Sequence, residues 1–156
     1  MTRYFDASAL VKRYVREEGS ATVRRLLASS TPATSRLSDV EVSSAIVRRT
    51  REAAFTIEER DRMLDALQRD VPALAIVELT PEIAEGARTL LLKHVLRAAD
   101  AVQLASCLSL QRQLGRPVPL VTFDRRLVLA ARAEGLAVTG TARARKGDEG
   151  STLSPC

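Results

Sequence analysis

Four acidic residues lie where predicted strands give way to helices or where a predicted helix begins. Asp6 follows the strand-like start of YFDASAL, and Asp124 follows the apolar strand in LVTFDRRL. Glu41 and Asp100 lie in the first turns of two further predicted helices. In an open parallel sheet, the strand ends that lead into helices share one edge, where binding crevices form. The pattern therefore predicts Asp6 and Asp124 on that edge, and if the first turns of the helices that carry Glu41 and Asp100 pack there too, the four carboxylates meet at one point.

Four carboxylates at one point repel one another unless a cation lies among them. An all-oxygen ligand set suits Mg²⁺ or Mn²⁺, and the single histidine, His94, excludes a multi-histidine zinc site. Such an ion polarises phosphoryl oxygens, lowers the pKa of a bound water and stabilises the leaving oxygen. The chemistry that this cluster predicts is phosphodiester hydrolysis without a protein nucleophile.

Each acid also has a purely structural explanation. Asp6 and Asp124 stand where a carboxylate can cap a helix N-terminus, and for either residue alone the cap is the favoured interpretation. Glu41 follows Ser38 by three residues, which is the spacing of a capping box. Asp100 has the weakest structural explanation, because a lone carboxylate among alanines destabilises a closely packed helix.

The elements that must position these acids alternate along the chain. The predicted strands are residues 3–5, 32–35, 75–79, 118–123 and 136–139. The predicted helices are residues 9–18, 20–27, 38–51, 56–70, 81–93, 98–114 and 124–134, with Ser20 expected to cap the second of them. Short apolar strands alternating with helices predict a parallel sheet covered on both faces.

This pattern stops at Gly140. In the segment after it, TARARKGDEGSTLSPC, the one large apolar residue is Leu153. We therefore expect one folded domain over residues 1–140 and a polar, disordered tail over residues 141–156.

The composition excludes several classes of protein. Two cysteines, Cys107 in an apolar stretch and Cys156 at the end, are too few for a disulfide framework, so Cys107 is expected to fill the core. The longest apolar stretches are about five residues, far short of the ~18 that a membrane span needs. His94 is expected in a solvent-exposed loop. These observations favour a cytoplasmic protein without a membrane segment.

The charge is compatible with a nucleic-acid partner. The chain has 24 basic and 19 acidic residues, for a formal charge of +5, and three of the basic residues are lysines. Arginine, which supplies the others, binds phosphate in a bidentate fork, although a GC-rich genome also explains this composition. With 3% aromatic residues and no Trp, recognition by stacked bases is disfavoured, so a nucleic acid, if bound, would be held by its backbone. The arginines that follow the acids are Arg48, Arg49, Arg51, Arg125 and Arg126.

Four segments, in order, resemble the PIN-domain family and specifically its VapC-type toxin ribonucleases. They are YFDASALVKRYV, LSDVEVSSAIVRR, LRAADAVQLAS and LVTFDRRLVLAARAEGL, and the resemblance covers residues 4–138. It implies a PIN-like three-layer α/β sandwich, in which a central, mostly parallel sheet carries helices on both faces.

The resemblance also implies a function and a site. It implies an endoribonuclease that depends on Mg²⁺, with Mn²⁺ as a substitute, and that acts as the toxin of a type II toxin-antitoxin pair. Such proteins are usually homodimers, held inactive by a small antitoxin that covers the active-site groove. The implied catalytic and metal-binding residues are Asp6, Glu41, Asp100 and Asp124. The implied small hydroxyl residues that line the site are Ser8 and Thr122.

Two alternatives remain open on the sequence. An α/β phosphotransfer protein, either a receiver or an aspartyl phosphatase, also places acids around Mg²⁺ at strand ends. The phosphatase requires a second Asp where this chain has Ser8, and the receiver requires a late lysine at a strand end, where none of Lys12, Lys93 and Lys146 lies. A PIN-like RNA-binding module without catalysis is the other alternative, which the presence of all four acids disfavours.

Overall fold

Within residues 1–140, which are the part of the chain that the computed structural model describes, five strands form one parallel sheet. The strands are β1 (Thr2–Phe5), β2 (Thr31–Ser35), β3 (Ala75–Val77), β4 (Leu120–Val121) and β5 (Val138–Thr139). The last three are shorter than predicted, because only these residues are in register with a neighbouring strand. The tail predicted at residues 141–156 lies outside the described residues.

Helices cover both faces of this sheet. They are α1 (Ala7–Tyr14), α2 (Ser20–Ala28), α3 (Arg36–Arg51), α4 (Ile57–Asp70), α5 (Pro81–Lys93), α6 (Ala98–Leu114) and α7 (Arg125–Ala133), with a 3-10 turn at Val71–Ala73. Tyr4 packs in a cluster with α5, α6 and α7, whereas the adjacent Phe5 packs with α1 and α2. Successive residues of a strand face opposite sides of a sheet, so these clusters lie on its two faces. The predicted α/β sandwich is confirmed.

The order of the strands creates a crevice beside β1. The sheet runs β3-β2-β1-β4-β5, so the chain leaves β1 towards β2 and β3 and later returns to its other side. At such a reversal, the connections that follow two adjacent strands diverge and leave a crevice at their carboxyl ends. The Asp6 N–H donates to the Val121 carbonyl at 3.2 Å, so the ends of β1 and β4 meet at this crevice.

Several helix ends agree with the sequence. Thr56 and Glu59 form the predicted capping box at the start of α4. Thr80 caps α5, with Pro81 at its first position, and Gly115 ends α6. These boundaries were predictable because each depends on residues within one turn of the helix end.

The predicted capping box of Ser38 and Glu41 is wrong. The helix α3 begins directly after β2, and Ser35 caps it by accepting a hydrogen bond from the Leu37 N–H at 3.1 Å. Ser38 is therefore inside the helix and fully buried. Glu41 therefore has no capping role, and it lies in α3 about one turn after Ser38.

Two predictions around Gly19 are also wrong. The first helix ends at Tyr14, because the buried Val15 turns to an extended conformation after its N–H bonds to the Val11 carbonyl. Gly19, not Ser20, precedes α2. The Ser20 hydroxyl instead donates to the Val15 carbonyl at 2.9 Å, which closes the loop between the two helices.

The structure confirms the predicted burial of Cys107 but not the predicted exposure of His94. Cys107 is fully buried in the core, as predicted. His94, predicted in a solvent-exposed loop, is half-buried, and its Nε2 lies 2.7 Å from Glu134 Oε1. This contact joins the end of α5 to the end of α7.

None of the helices in residues 1–140 has the length and apolarity needed to cross a bilayer.

We predict that Gly19→Ala destabilises the protein more than Gly115→Ala. Both glycines have positive φ, 87° and 62°, which costs an L-residue about 1–2 kcal/mol. A Cβ on Gly19 would also lie 2.8 Å from the Phe123 ring, whereas one on Gly115 would have no neighbour within 4 Å. Urea titration of both variants measures the difference. Equal losses of unfolding free energy would contradict the contact with Phe123.

Candidate active site

Asp6 is a buried carboxylate at the end of β1, with 3% of its surface exposed. It caps α1, because its Oδ1 accepts a hydrogen bond from the Ala9 N–H at 2.9 Å. The Ser8 hydroxyl lies 2.8 and 2.9 Å from the two carboxylate oxygens, and the Thr122 hydroxyl donates to Oδ2 at 2.7 Å. Both hydroxyl residues singled out in the sequence therefore contact Asp6.

The same two hydroxyls hold the loop that follows β4. Ser8 Oγ accepts a hydrogen bond from the Phe123 N–H at 3.0 Å, and Thr122 Oγ1 accepts one from the Asp124 N–H at 3.2 Å. Because each hydroxyl accepts from the backbone, its one hydrogen is available to Asp6. Asp6 thus fixes the loop that carries Asp124.

Asp124 and Asp100 each stabilise a helix start with one oxygen. Asp124 Oδ1 accepts a hydrogen bond from the Leu127 N–H at 3.0 Å and caps α7. Asp100 Oδ2 accepts one from the Arg97 N–H at 3.3 Å at the start of α6. No residue in the described part of the chain donates to the second oxygen of either carboxylate. Capping and a metal-binding role are therefore compatible, because each carboxylate has two oxygens.

Glu41 is held by a residue that the sequence analysis missed. The Gln103 Nε2 donates to Glu41 Oε1 at 2.8 Å. The available signal was an amide three residues after Asp100, on the same face of a helix otherwise lined with small apolar residues. Gln103 is 2% exposed, whereas Glu41 is half-buried.

The four acids line one cavity of about 460 Å³. It opens at the carboxyl edge of the sheet beside β1 and β4, where the sequence placed it. Ser8 and Gln103 also line it, and Thr122 lies behind Asp6. The acids are Asp6, Glu41, Asp100 and Asp124.

The carboxylates affect one another's ionisation. Burial raises the pKa of Asp6 to about 7, against the hydrogen bonds from Thr122, Ala9 and Ser8, which lower it. Burial is also the main cause of the raised pKa values of Glu41 and Asp100. Repulsion adds to each: Glu41 raises the pKa of Asp6, Asp100 raises that of Glu41, and Asp124 raises that of Asp100. A cation in this cavity would remove that repulsion.

The donor set fits a hard divalent cation, although the side chains are not gathered around one point. Within residues 1–140, no three His, Cys, Asp or Glu side chains are arranged to hold a metal ion as they stand. Like charges keep the carboxylates apart, and three of them also hold the start of a helix. Carboxylate oxygens without nitrogen or sulfur donors are the kind of ligand that suits Mg²⁺ or Mn²⁺, and these acids would hold such an ion.

Basic side chains surround the acids. Arg48 and Arg49 line the cavity, as does Arg97, which the sequence analysis did not single out. Arg49 Nη1 lies 2.7 Å from Glu17 Oε2, and Lys12 Nζ lies 3.0 Å from Glu17 Oε1. Of the other arginines predicted near the acids, Arg126 is close enough to lower the pKa of Asp100, while Arg51 and Arg125 are exposed and do not line the cavity.

The chain is similar to one family of known proteins. A family model described as PIN domain matches residues 3–133. Ribonuclease VapC45 of Mycobacterium tuberculosis (strain CDC 1551 / Oshkosh) is 38% identical over 141 residues, which cover 86% of this chain and 92% of the relative. Ribonuclease VapC46 of Mycobacterium tuberculosis (strain ATCC 25618 / H37Rv) is 35% identical over 136 residues, covering 86% and 94%.

Solved structures share the fold at lower identity. VapBC2 from Rickettsia felis, bound to a DNA fragment from its promoter, matches with a TM-score of 0.63 and 14% identity over 91% of this chain and 99% of that one. A toxin-antitoxin complex from Klebsiella pneumoniae matches with a TM-score of 0.55 and 20% identity over 78% and 86%.

We predict that Asp6 makes the metal-free protein less stable as the pH rises. The folded state keeps its proton up to a pKa of about 7, whereas the unfolded chain loses it near 3.8. The folded state therefore binds more protons between these values, so its stability falls across this window and levels off above it. Asp6→Asn, which keeps an oxygen for the Ala9 N–H, should lose less unfolding free energy between pH 5 and pH 8, by on the order of 1 kcal/mol or more.

Urea titrations in EDTA at both pH values measure this difference. Asp65→Asn, on an exposed position of α4, controls for the loss of one carboxylate elsewhere and should follow the parent. Identical pH dependence in the parent and Asp6→Asn would show that the Asp6 side chain is not destabilised in the fold.

Proposed function

This chain belongs to the PIN-domain family, and from that premise we propose that it is a divalent-metal-dependent endoribonuclease, the toxin of a toxin-antitoxin pair. The observation that carries the proposal is that four carboxylates line one cavity at the carboxyl edge of a parallel sheet. Two relatives that match almost along their whole length are ribonucleases by name, which supports RNA as the substrate.

The four acids would hold Mg²⁺, with Mn²⁺ as a substitute. When bound, the ion supplies charge stabilisation at the phosphoryl group and an activated water, so no protein nucleophile is needed. Asp6 contributes a carboxylate whose position is fixed by three side-chain and backbone donors. Asp100 and Asp124 each contribute an oxygen that is not used in capping.

The basic side chains would hold the RNA backbone. Arg48 and Arg97 line the cavity beside the acids, where a guanidinium group can bind a phosphate on either side of the scissile bond. Arg49 is oriented by Glu17, which also holds Lys12. Because such contacts are made to phosphates, they position the substrate without selecting a base.

A protein partner is part of the proposal. The structures with this fold include toxin-antitoxin complexes, which supports a small antitoxin that covers the cavity, and we also propose a homodimer. Leu92, in the last turn of α5, and Val95, in the connection to α6, are 90% and 84% exposed. We propose these two exposed apolar side chains as a candidate contact for such a partner.

The phosphotransfer alternative finds no support in the site. A phosphatase requires a second carboxylate at the position of Ser8, but here the hydroxyl of that residue donates to Asp6 and accepts from the Phe123 N–H. The position therefore supports the first carboxylate and adds no second one. Retention of all four acids in the cavity likewise favours catalysis over a catalytically silent RNA-binding module.

We predict that the purified protein, separated from any partner, cleaves single-stranded RNA only when Mg²⁺ or Mn²⁺ is present. The reason is an all-carboxylate site whose lining, among residues 1–140, includes no histidine or cysteine that could act in place of the ion. Gel analysis of a labelled RNA in EDTA, and after Mg²⁺ is restored, measures this. Asp100→Asn purified in parallel controls for a contaminating nuclease. Cleavage by the parent in excess EDTA would refute metal dependence.

We predict that the acids act as a unit. Ligands of one ion lose function together, so Asp6→Asn, Asp100→Asn and the double variant should be similarly inactive rather than additive in their losses. Each should also relieve growth arrest when expressed in a bacterial host, whereas Asp65→Asn should remain toxic. A toxic Asp6→Asn variant would remove Asp6 from the active site.

A further inference from the structure

Gln103 is a buried amide at the point where α6 crosses β1 and α3. The Tyr4 hydroxyl donates to its Oε1 at 2.7 Å. Its Nε2 donates to Ser38 Oγ and to Glu41 Oε1, both at 2.8 Å. The amide therefore uses both of its hydrogens and one of its acceptor sites in contacts with three residues on two other elements, β1 and α3.

The surrounding hydroxyls fix the orientation of this amide. Thr34 Oγ1 lies 2.6 Å from the Phe5 carbonyl oxygen and 2.6 Å from Ser38 Oγ. A carbonyl can only accept, so the single hydroxyl hydrogen of Thr34 belongs to Phe5, and Ser38 must donate to Thr34. Ser38 then accepts from Gln103, which places the NH₂ group on the side of Glu41.

A purely structural role does not account for this arrangement. Tyr4, Thr34, Ser38 and Gln103 are each between 0% and 2% exposed, in a region where apolar side chains would pack without needing partners. These four side chains form a hydrogen-bonded network that reaches Glu41, whose carboxylate lines the cavity. The core amide is thus connected to the site and not merely satisfied within the core.

We propose that Gln103 is a positioning residue that fixes the Glu41 carboxylate at the wall of the cavity. Its Nε2 holds Oε1, while Oε2 accepts no hydrogen bond from residues 1–140 and remains available as a ligand. The buried Tyr4 hydroxyl in turn fixes Gln103 from the sheet side. This inference rests on the proposed function, because Glu41 is taken as a ligand of the divalent ion.

Binding of Mn²⁺ in the absence of RNA tests the proposal directly. Isothermal titration of the full chain gives the dissociation constant for the parent, for Gln103→Met and for Gln111→Met. The control Gln111 lies on the same helix, where its Oε1 accepts from the Val118 N–H at 3.0 Å, outside the cavity. Loss of a residue that orients a ligand costs about 10–100-fold in affinity, so we expect at least about tenfold weaker binding for Gln103→Met and parent-like binding for Gln111→Met.

A second comparison shows whether Gln103 acts through Glu41. In a Glu41→Gln background, Gln103→Met should weaken Mn²⁺ binding no further, because the carboxylate it orients is already absent. Equal weakening in both backgrounds would indicate a general loss of structure and overturn the proposal. Parent-like binding by a folded Gln103→Met protein would overturn it as well.

Tyr4→Phe decides the question if Gln103→Met does not fold. This variant leaves the amide in place and removes the donor that holds its Oε1, and Tyr14→Phe, which loses a hydroxyl contact to Asp70, is its control. Weaker Mn²⁺ binding by Tyr4→Phe alone supports the proposal, and equal binding by both refutes it. Failure of the parent itself to bind Mn²⁺ would refute the proposed function instead.

Discussion

The rest of the site depends on the hydrogen bonds that hold the buried carboxylate of Asp6. It accepts hydrogen bonds from the first turn of α1 and from the Ser8 and Thr122 hydroxyls, which themselves accept from the backbone after β4. One residue therefore joins two strands and the loop that carries Asp124. Since the charge is buried, its ionised form depends on these donors, and removing the Ser8 hydroxyl would leave each carboxylate oxygen with one remaining donor, the Ala9 N–H for Oδ1 and the Thr122 hydroxyl for Oδ2.

The electrostatics of the cavity oppose the stability of the metal-free fold. Burial and mutual repulsion raise the pKa values of Asp6, Glu41 and Asp100 in the protein without metal. A fold under selection for stability alone would replace these carboxylates with neutral side chains. Active sites commonly retain such strain because the same charges bind a cation or stabilise a transition state. Here the repulsion is the physical reason to expect strong stabilisation of the fold by a divalent ion.

The sequence presented capping and metal binding as competing interpretations of the same acids, and the structure shows that capping does not exclude the other role. Asp6 and Asp124 cap helices, as their positions after strands predicted, and both line the cavity. Glu41 is different, because the capping role suggested by Ser38 is taken by Ser35 three residues earlier. That error arose because the end of β2 is buried and turns directly into the helix, which the local pattern does not reveal.

The sequence by itself determined which segments form strands and helices, most helix ends, and the positions of the four acids at strand ends or in the first turns of helices, because periodicity, capping and the position of a residue after a strand are local properties. Only the tertiary structure decided which polar groups support those acids. Gln103 bonds to Glu41 across 62 residues, and Thr122 bonds to Asp6 across 116. Such partners are chosen by the placement of β4 beside β1 and by the packing of α6 against α3. No pattern along the chain encodes that placement, because it results from the packing of the whole sheet.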